Sequence, residues 1–190
     1  MGFRGGGRLH WRVTLRDTVR VPPHRFGEPL PKVVLDLLQQ TYEGMLDKDL
    51  GMVVAILGVK EIGVGKIIMG DGASYHEVVF EALTYRPELN EVVMGEVVEV
   101  VSFGCFVRVG PMDALLHISQ VMDDYVSYEE KKAALVGKES GKVLKEGDKI
   151  RARVVSVSLK RDYRGKVGLT MRQPGLGKLE WLSEGREGKK

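Results

Sequence analysis

The fold is decided by the stretch from Glu91 to Gln120, which reads EVVMGEVVEVVSFGCFVRVGPMDALLHISQ. Valine and phenylalanine are frequent in this stretch, and β-branched and aromatic residues favour strands. Gly95, Gly104 and Gly110 interrupt it at the places where strands would bend or turn. The pattern therefore predicts three short antiparallel strands.

The second of these strands has two different faces. Because side chains alternate across a pleated strand, an apolar face built from Cys105 and two valines lies opposite a face that carries Phe106 and Arg108. We expect Phe103 and His117 to join the second face. Rings that stack on bases, next to cations that meet phosphates, suit unpaired nucleic acid. The alternative is that the phenylalanines cap the hydrophobic core and that the histidine closes a turn.

Four segments resemble the S1-type RNA-binding domain. In chain order they are GEVVEVVSFGCFVRVG (residues 95–110), LLHISQ (115–120), EGDKIRARVVSVS (146–158) and GLTMR (168–172). The resemblance implies a five-stranded OB barrel over residues 87–173, and OB folds bind oligonucleotides on the face of strands 2 and 3. The RNA contacts that it implies on this face are Phe103, Phe106, Arg108 and His117. Ser158 departs from the family pattern, which often has Asp there.

The strand predicted at Lys149–Ser158 alternates apolar and basic residues, so one of its faces carries a basic row. The basic row consists of Lys149, Arg151 and Arg153. We expect it to extend the RNA-contacting surface, because cations in a groove hold the backbone of a single strand. Lys166 and Arg172, at the end of the predicted barrel, are further candidates for phosphate contact.

The net charge of +3 conceals blocks of opposite sign. Residues 1–26 carry six arginines against one aspartate, and residues 145–172 carry nine basic side chains against three acidic ones. Residues 27–144 between them are acidic, with nineteen carboxylates against ten basic side chains. Such segregation indicates that a polyanion meets only part of the molecule. The alternative is a basic edge that is simply solvated.

The length of 190 residues, 43% of them apolar, predicts two domains of modest size. The longest apolar run, Met52–Val59, falls short of the ~20 residues that a membrane helix needs. We therefore expect a cytoplasmic protein with no membrane partner.

Cys105 is the only cysteine, which excludes an intrachain disulfide, and its apolar surroundings predict a packing role. No spacing supports a metal cluster or catalytic set, so we expect no cofactor, no metal and no catalytic site.

Residues 9–86 precede the barrel and predict an α+β domain, with one helix against a small antiparallel sheet. Pro31–Leu46 is the predicted helix, because apolar residues recur there every three or four positions. The apolar face consists of Val34, Leu35, Leu38, Tyr42 and Met45. The predicted strands are Leu9–Val21, two strands joined around Glu61–Gly65, and Ser74–Tyr85. Candidates for burial in the last strand are Tyr75, Val79, Ala82 and Leu83.

Three further segments have distinctive compositions. Residues 1–8, rich in Gly and Arg, are predicted to be a flexible extension, because they cannot bury a core. Residues 174–190 are predicted to form a C-terminal tail. Residues 122–138 are an acidic insertion, predicted to be partly helical, and we expect it to lie away from the RNA face because its charge would repel RNA.

The glycines between Gly63 and Gly72 do not form a phosphate-binding loop. Lys66 is followed by Ile67, where a Walker motif needs Ser or Thr. The segment instead predicts a loop with exposed apolar side chains, which suits insertion into a partner protein. The alternative is an ordinary glycine-rich hairpin end.

Four more segments extend the resemblance, over about residues 12–185, to the larger stalk subunit of archaeal DNA-directed RNA polymerase. They are VRVPPHRFG (19–27), LLQQTYEGML (37–46), LGVKEIGVGKIIMGDGASYHEVVFEALTYRP (57–87) and MDDYVSYEEK (122–131). Members of that family dock on the polymerase core by the tip of their first domain, pair with a smaller stalk subunit and hold nascent single-stranded RNA on the barrel. The implied docking residues are Gly63, Val64, Gly65, Lys66, Ile67, Ile68, Met69, Gly70, Asp71 and Gly72.

A non-catalytic polymerase subunit is therefore the first hypothesis. The second hypothesis is an S1-domain RNA-loading module of a translation or RNA-decay complex, because the same barrel serves that purpose. Co-purification with a multisubunit polymerase would separate these two. The third hypothesis is an enzyme with its own active site, which would require RNA hydrolysis by the pure protein.

Overall fold

The structure is a computed structural model that describes residues 9–159 and 166–187. These residues fall into two compact units that divide after Arg86. We call them the N-terminal domain, which starts at His10, and the barrel domain, which starts at Pro87. The first is an α+β domain and the second contains a closed five-stranded barrel, so the predicted fold class is confirmed. The predicted flexible extension of residues 1–8 lies outside the described residues.

The N-terminal domain packs one helix on an antiparallel sheet. Its elements are β1 (His10–Val21), α1 (Leu30–Tyr42), β2 (Leu46–Asp47), β3 (Gly51–Ile62), β4 (Lys66–Ile67) and β5 (Ser74–Tyr85). The strand order is β1-β5-β3-β2, and the short β4 pairs with β5 beyond the end of β3. The two strands predicted around Glu61–Gly65 are therefore β3 and β4, but both of them pair with β5.

One face of this sheet packs against α1 and forms the core. Val78, Phe80 and Ala82 of β5 point into it and are buried, together with Val34 and Leu38 of α1. The predicted burial of β5 is wrong in part, since the other predicted residues are only half-buried. Those residues are Tyr75, Val79 and Leu83. Apolar side chains occupy both faces of β5, so alternation alone does not determine which face meets the helix.

The helix α1 ends four residues before its predicted end. Glu43 already has extended backbone angles, with φ −64° and ψ 128°, and Gly44 takes the left-handed conformation with φ +82°. The Gly44 N–H then donates to the Val53 carbonyl at 2.8 Å, which places the chain beside β3. Met45 therefore lies outside the helix, and the predicted apolar face is one residue shorter.

Opposite charges line β1 and its neighbours. The arginine ladder consists of Arg12, Arg16 and Arg20. These side chains form ion pairs with Glu81, Glu77 and Asp71, respectively. Lys60 also binds Glu81 at 2.8 Å, and the Glu81 side chain is only 14% exposed. The hydrogen bonds from Arg12 and Lys60 hold the pKa of Glu81 at about 2.

The described residues of the barrel domain form nine strands. They are β6 (Val92–Val101), β7 (Gly104–Val109), β8 (Met112–His117), β9 (Val126–Glu129), β10 (Ala134–Gly137), β11 (Val143–Lys145), β12 (Lys149–Ser158), β13 (Lys166–Thr170) and β14 (Gly177–Lys178). The order β13-β8-β7-β6-β12 closes on itself, because β12 also pairs with β13. The three strands predicted within residues 91–120 are confirmed as β6, β7 and β8.

The interior of the barrel is apolar. Val107 and Leu116 are among its fully buried side chains, and Cys105 lies beside them with no exposed surface. Burial raises the pKa of the Cys105 thiol to about 12. The thiolate that a nucleophile needs is therefore scarce near neutral pH, and the predicted packing role is confirmed.

The acidic insertion contributes two strands to a small sheet and is less helical than predicted. Strands β9, β10 and β11 form an antiparallel sheet, and the helical part is one 3-10 turn at Glu130–Lys132. Ala133 follows in the left-handed conformation, with φ +44°, and sends the chain back as β10. Leu135 and Leu144 give this sheet a fully buried centre. Those apolar residues, rather than the charges between them, determine its structure.

The C-terminal tail packs against the barrel. Strand β14 pairs with β12, and the helix α2 (Leu179–Glu187) follows it. The buried Lys178 ammonium lies 3.0 Å from Asp148 and 2.7 Å from Glu180. Within the described part of the chain, neither helix is long and apolar enough to cross a membrane.

Replacing Glu81 by Gln should remove a pH-dependent part of the stability. The folded pKa of about 2 lies below the unfolded value of about 4.3. The ionised carboxylate therefore stabilises the fold above about pH 4.3, and this contribution is lost as the pH falls towards about 2. Thermal unfolding should show Glu81→Gln below the wild type at about pH 6, with the difference closing at about pH 2.

Glu77→Gln is the matched control for that experiment. Its carboxylate is more exposed and lies 3.3 Å from Arg16. Because exposed pairs contribute little, its difference from the wild type should be smaller. A Glu81→Gln difference that stays constant across this pH range would contradict the assignment.

Candidate functional site

Three predicted RNA contacts meet at one end of the barrel. Phe103 lies between β6 and β7 and is 49% exposed, while Phe106 is half-buried on the outer face of β7. Their ring centroids are 6.3 Å apart and the rings are perpendicular. Gly104 pairs with His117 across β7 and β8, and a side chain at Gly104 would collide with the Leu116 carbonyl. The close approach at this glycine brings the histidine beside the two rings.

The exposed His117 ring has one nitrogen engaged locally. The backbone N–H of Ser119 donates to Nδ1 at 3.3 Å, and the Ser119 hydroxyl lies 2.8 Å from the same atom. Because a backbone N–H can only donate, Nδ1 is an acceptor and the neutral ring carries its proton on Nε2. Nε2 is therefore the nitrogen that can donate to a base or a phosphate.

Two of the predicted cations already have carboxylate partners. The Arg108 guanidinium binds both oxygens of Asp113, at 2.8 and 3.2 Å. Arg172 binds Asp123 at 2.6 Å. The expectation that the acidic insertion lies away from the predicted RNA face is wrong at this point, because Asp123 belongs to that insertion.

The basic row differs from Arg108 and Arg172 in its ion pairing. Lys149, Arg151 and Arg153 alternate along β12 with buried apolar residues, as the sequence predicts. In the described parts of the chain none of them forms an ion pair, and the Arg153 Nε is buried without a hydrogen-bond partner. Exposed Met94 and Val92 of β6 lie opposite Arg151 and Arg153. Strand β6 therefore stands between the basic row and Phe106, so the row and the aromatic rings form neighbouring surfaces and not one strand face.

The remaining candidate, Lys166, is described only in part. Its backbone pairs with Ser158 at the start of β13. Its side chain and residues 160–165 before it, four of which are charged, lie outside the described residues.

The predicted docking loop, residues 63–72, connects β3 to β5 and includes β4. Its apolar side chains are 53% to 96% exposed. They are Val64, Ile67, Ile68 and Met69. Gly70 and Gly72 reverse the chain with φ +94° and +69°. Asp71 anchors this turn, since it accepts from Arg20 Nε at 2.8 Å and from the Tyr75 hydroxyl, and these bonds hold its pKa well below its usual range. A contiguous exposed apolar patch of this kind is characteristic of a protein-binding surface.

Comparison with known domain families assigns both halves of the chain. Residues 16–72 match the SHS2 domain found in the N terminus of Rpb7p/Rpc25p/MJ0397. Residues 86–164 match the S1 RNA binding domain. The second match covers the strands that carry the aromatic rings and the basic row.

Two curated relatives match over nearly their whole length. The DNA-directed RNA polymerase subunit Rpo7 of Saccharolobus shibatae is 48% identical over 176 residues, which cover 92% of this chain and 98% of the relative. The Rpo7 subunit of Saccharolobus solfataricus is 49% identical over 173 residues, covering 90% and 96%. A polyribonucleotide nucleotidyltransferase of Afipia carboxidovorans is 32% identical over 87% of this chain, but the match covers only 23% of that protein.

The full-length matches and the succession of an SHS2 and an S1 domain agree with each other. The chain therefore belongs to the Rpo7 family, the stalk subunits of archaeal DNA-directed RNA polymerase, and is a non-catalytic component of that multisubunit enzyme.

Proposed function

We propose that this subunit binds nascent single-stranded RNA on its barrel domain, docks on the polymerase core through residues 63–72 and pairs with the smaller stalk subunit. Family membership supports all three roles. One observation carries the RNA proposal, namely that the basic row of β12 has no carboxylate partner within the described residues, whereas the arginine ladder, Arg108 and Arg172 each have one.

The contrast between paired and unpaired cations favours the basic row as the phosphate contact. A phosphate that approached the arginine ladder would have to displace Glu77, Glu81 or Asp71. At Arg151 and Arg153 a phosphate displaces no carboxylate. The free energy gained when RNA releases its counterions is therefore not reduced by the loss of an existing ion pair. We therefore assign the phosphate contacts to the row, with Lys166 as a further candidate.

The aromatic end of the barrel supports base contacts. Phe103 is about half exposed, the Phe106 ring lies against it, and His117 pairs with the neighbouring Gly104. Stacking on such rings tolerates any sequence, because every base has a π-face. Nascent RNA of arbitrary sequence is a ligand that needs this tolerance.

The loop of residues 63–72 supports docking on the core. The loop carries four exposed aliphatic or thioether side chains and one basic side chain, Lys66. Burial of this apolar surface against a protein would stabilise a complex by about 25 cal/mol for each Å² removed from water. RNA offers no comparable apolar surface, so the loop and the barrel serve different partners.

Pairing with the smaller stalk subunit rests on the family alone. Co-expression of the two chains, followed by gel filtration, tests it, and a heterodimer is expected. The alternative of an RNA-loading module in a translation or decay complex predicts instead that the chain co-purifies with those complexes and not with polymerase.

Phe103→Ala and Phe106→Ala should each weaken the binding of single-stranded RNA by ~1 to 3 kcal/mol, because each ring would lose its stacking on a base. The salt dependence should hardly change, since no charge is removed. Fluorescence anisotropy with labelled oligonucleotides measures both. Phe26→Ala, which removes an exposed ring from the N-terminal domain, is the matched control. Well-folded variants that bind as tightly as the parent would eliminate the aromatic contacts from the proposal.

Arg151→Ala should act through charge. Loss of one phosphate contact should lower the slope of log K against log salt by roughly 0.7 and weaken all RNA sequences alike. Arg16→Ala removes the same charge from the arginine ladder and should leave the slope unchanged. Equal slopes for the parent and the Arg151 variant would show that the row does not bind phosphate.

Docking on the polymerase core should be sensitive to substitutions in the apolar loop and not to those on the barrel. Replacing both Ile67 and Ile68 by Asp places two charges in the apolar patch, so the variant should lose the polymerase core in a pull-down and keep its affinity for RNA. Leu57→Asp, on β3 of the same domain and also exposed, is the control and should be recovered with the core. Normal recovery of the double variant would refute the role of the loop.

A further inference from the structure

A buried histidine lies beneath the docking loop. His76 of β5 is only 8% exposed, and both of its ring nitrogens have partners. Nδ1 is 3.0 Å from the Gly63 carbonyl oxygen, and Nε2 is 3.1 Å from the Ser74 hydroxyl. The neutral ring satisfies both contacts when Nδ1–H donates to the carbonyl and the hydroxyl donates to Nε2. None of the proposed contacts with RNA or with the core uses this side chain.

These partners lie at the two ends of the segment that carries the apolar side chains. Gly63 is the first residue of the loop, and its N–H also donates to the Glu77 carbonyl at 2.7 Å. Ser74 pairs with Ile67 across β4 and β5. The His76 ring therefore connects the start of the loop to the strand position that holds Ile67.

Gly65 allows the ring to occupy this place. A Cβ atom at Gly65 would lie 2.6 Å from His76 Cε1 and 2.8 Å from Nε2, closer than real contacts permit. The ring is held in turn by Gly63 and Ser74, so it cannot withdraw without breaking those bonds. The glycine between Val64 and Lys66 is thus explained by the histidine beneath it.

We propose that His76 is a positioning residue that holds the apolar loop in its docking conformation before the polymerase core arrives. This inference rests on the proposed docking function. A loop with four exposed apolar side chains that was free to move would lose conformational entropy on binding, and preorganisation removes that loss. His76 restrains the start of the loop through its hydrogen bonds. Asp71 restrains the far end of the loop in the same way, through Arg20 and Tyr75.

Two variants of similar size separate hydrogen bonding from packing. His76→Asn retains an amide near the position of Nδ1 and can still donate to the Gly63 carbonyl, whereas His76→Leu fills the space without a hydrogen bond. In the full chain, His76→Leu should bind the core about tenfold more weakly, which corresponds to ~1.4 kcal/mol of added ordering. His76→Asn should recover most of that affinity. Amide hydrogen exchange in residues 63–69 should rise in the leucine variant alone.

A double-mutant cycle tests the contact with Gly65. Gly65→Ala should weaken docking in the wild-type background, because its methyl group meets the ring. In a His76→Ala background the space is open, so the same change should have little further effect. Additive effects in the two backgrounds would contradict the proposed contact.

The outcomes distinguish this inference from the function on which it rests. If the Ile67 and Ile68 double aspartate variant still binds the core, the docking role itself fails. If that variant loses the core while the parent, His76→Leu and His76→Asn bind equally well and exchange equally, only the positioning role fails.

Discussion

The arginines of β1 face the carboxylates of β5 and of the turn before it, and the proposed RNA site depends on this neutralisation. An exposed ion pair contributes little to stability. The same ion pair has a larger effect on RNA binding, because a phosphate that binds the arginine must first displace its carboxylate partner. In the N-terminal domain the arginine ladder is satisfied internally, through Glu77, Glu81 and Asp71. The barrel domain leaves its basic row on β12 unsatisfied within the described residues, and it is there that the RNA proposal places the phosphates.

A second constraint is the pleat, which separates core from surface along each strand of the barrel. On β7 it puts Cys105 and Val107 inside and Phe106 outside, and on β12 it puts Ile150 inside and Arg151 outside. The same alternation gives the barrel an apolar interior and the aromatic and basic outer surface on which RNA binding is proposed. In the N-terminal domain the apolar groups outside the core are concentrated in the loop of residues 63–72. Two kinds of surface, one aromatic and cationic and the other aliphatic, thus lie on separate domains.

Sequence patterns predicted the parts of this structure that depend on local periodicity. The strands β6 to β8, the alternation along β12 and the burial of Cys105 follow from composition and from the two-residue repeat of a strand. The end of α1 did not follow, because it depends on Gly44 joining β3, which is a contact with a later part of the chain. The acidic insertion was expected to be more helical than it is, because its strand β10 pairs with β11, where the buried Leu144 lies in a later part of the chain. The ion pair between Arg172 and Asp123 joins residues that only the closed barrel brings together.

Cross-linking of photoreactive single-stranded RNA to the full chain, followed by mass spectrometry of the linked peptides, tests the central claim most directly. Cross-links are expected in the barrel domain, in peptides that contain Phe103 to Arg108 and Lys149 to Arg153. Cross-links concentrated on the arginine ladder of β1, with none on those two barrel peptides, would show that internal ion pairing does not decide where RNA binds and would contradict the claim.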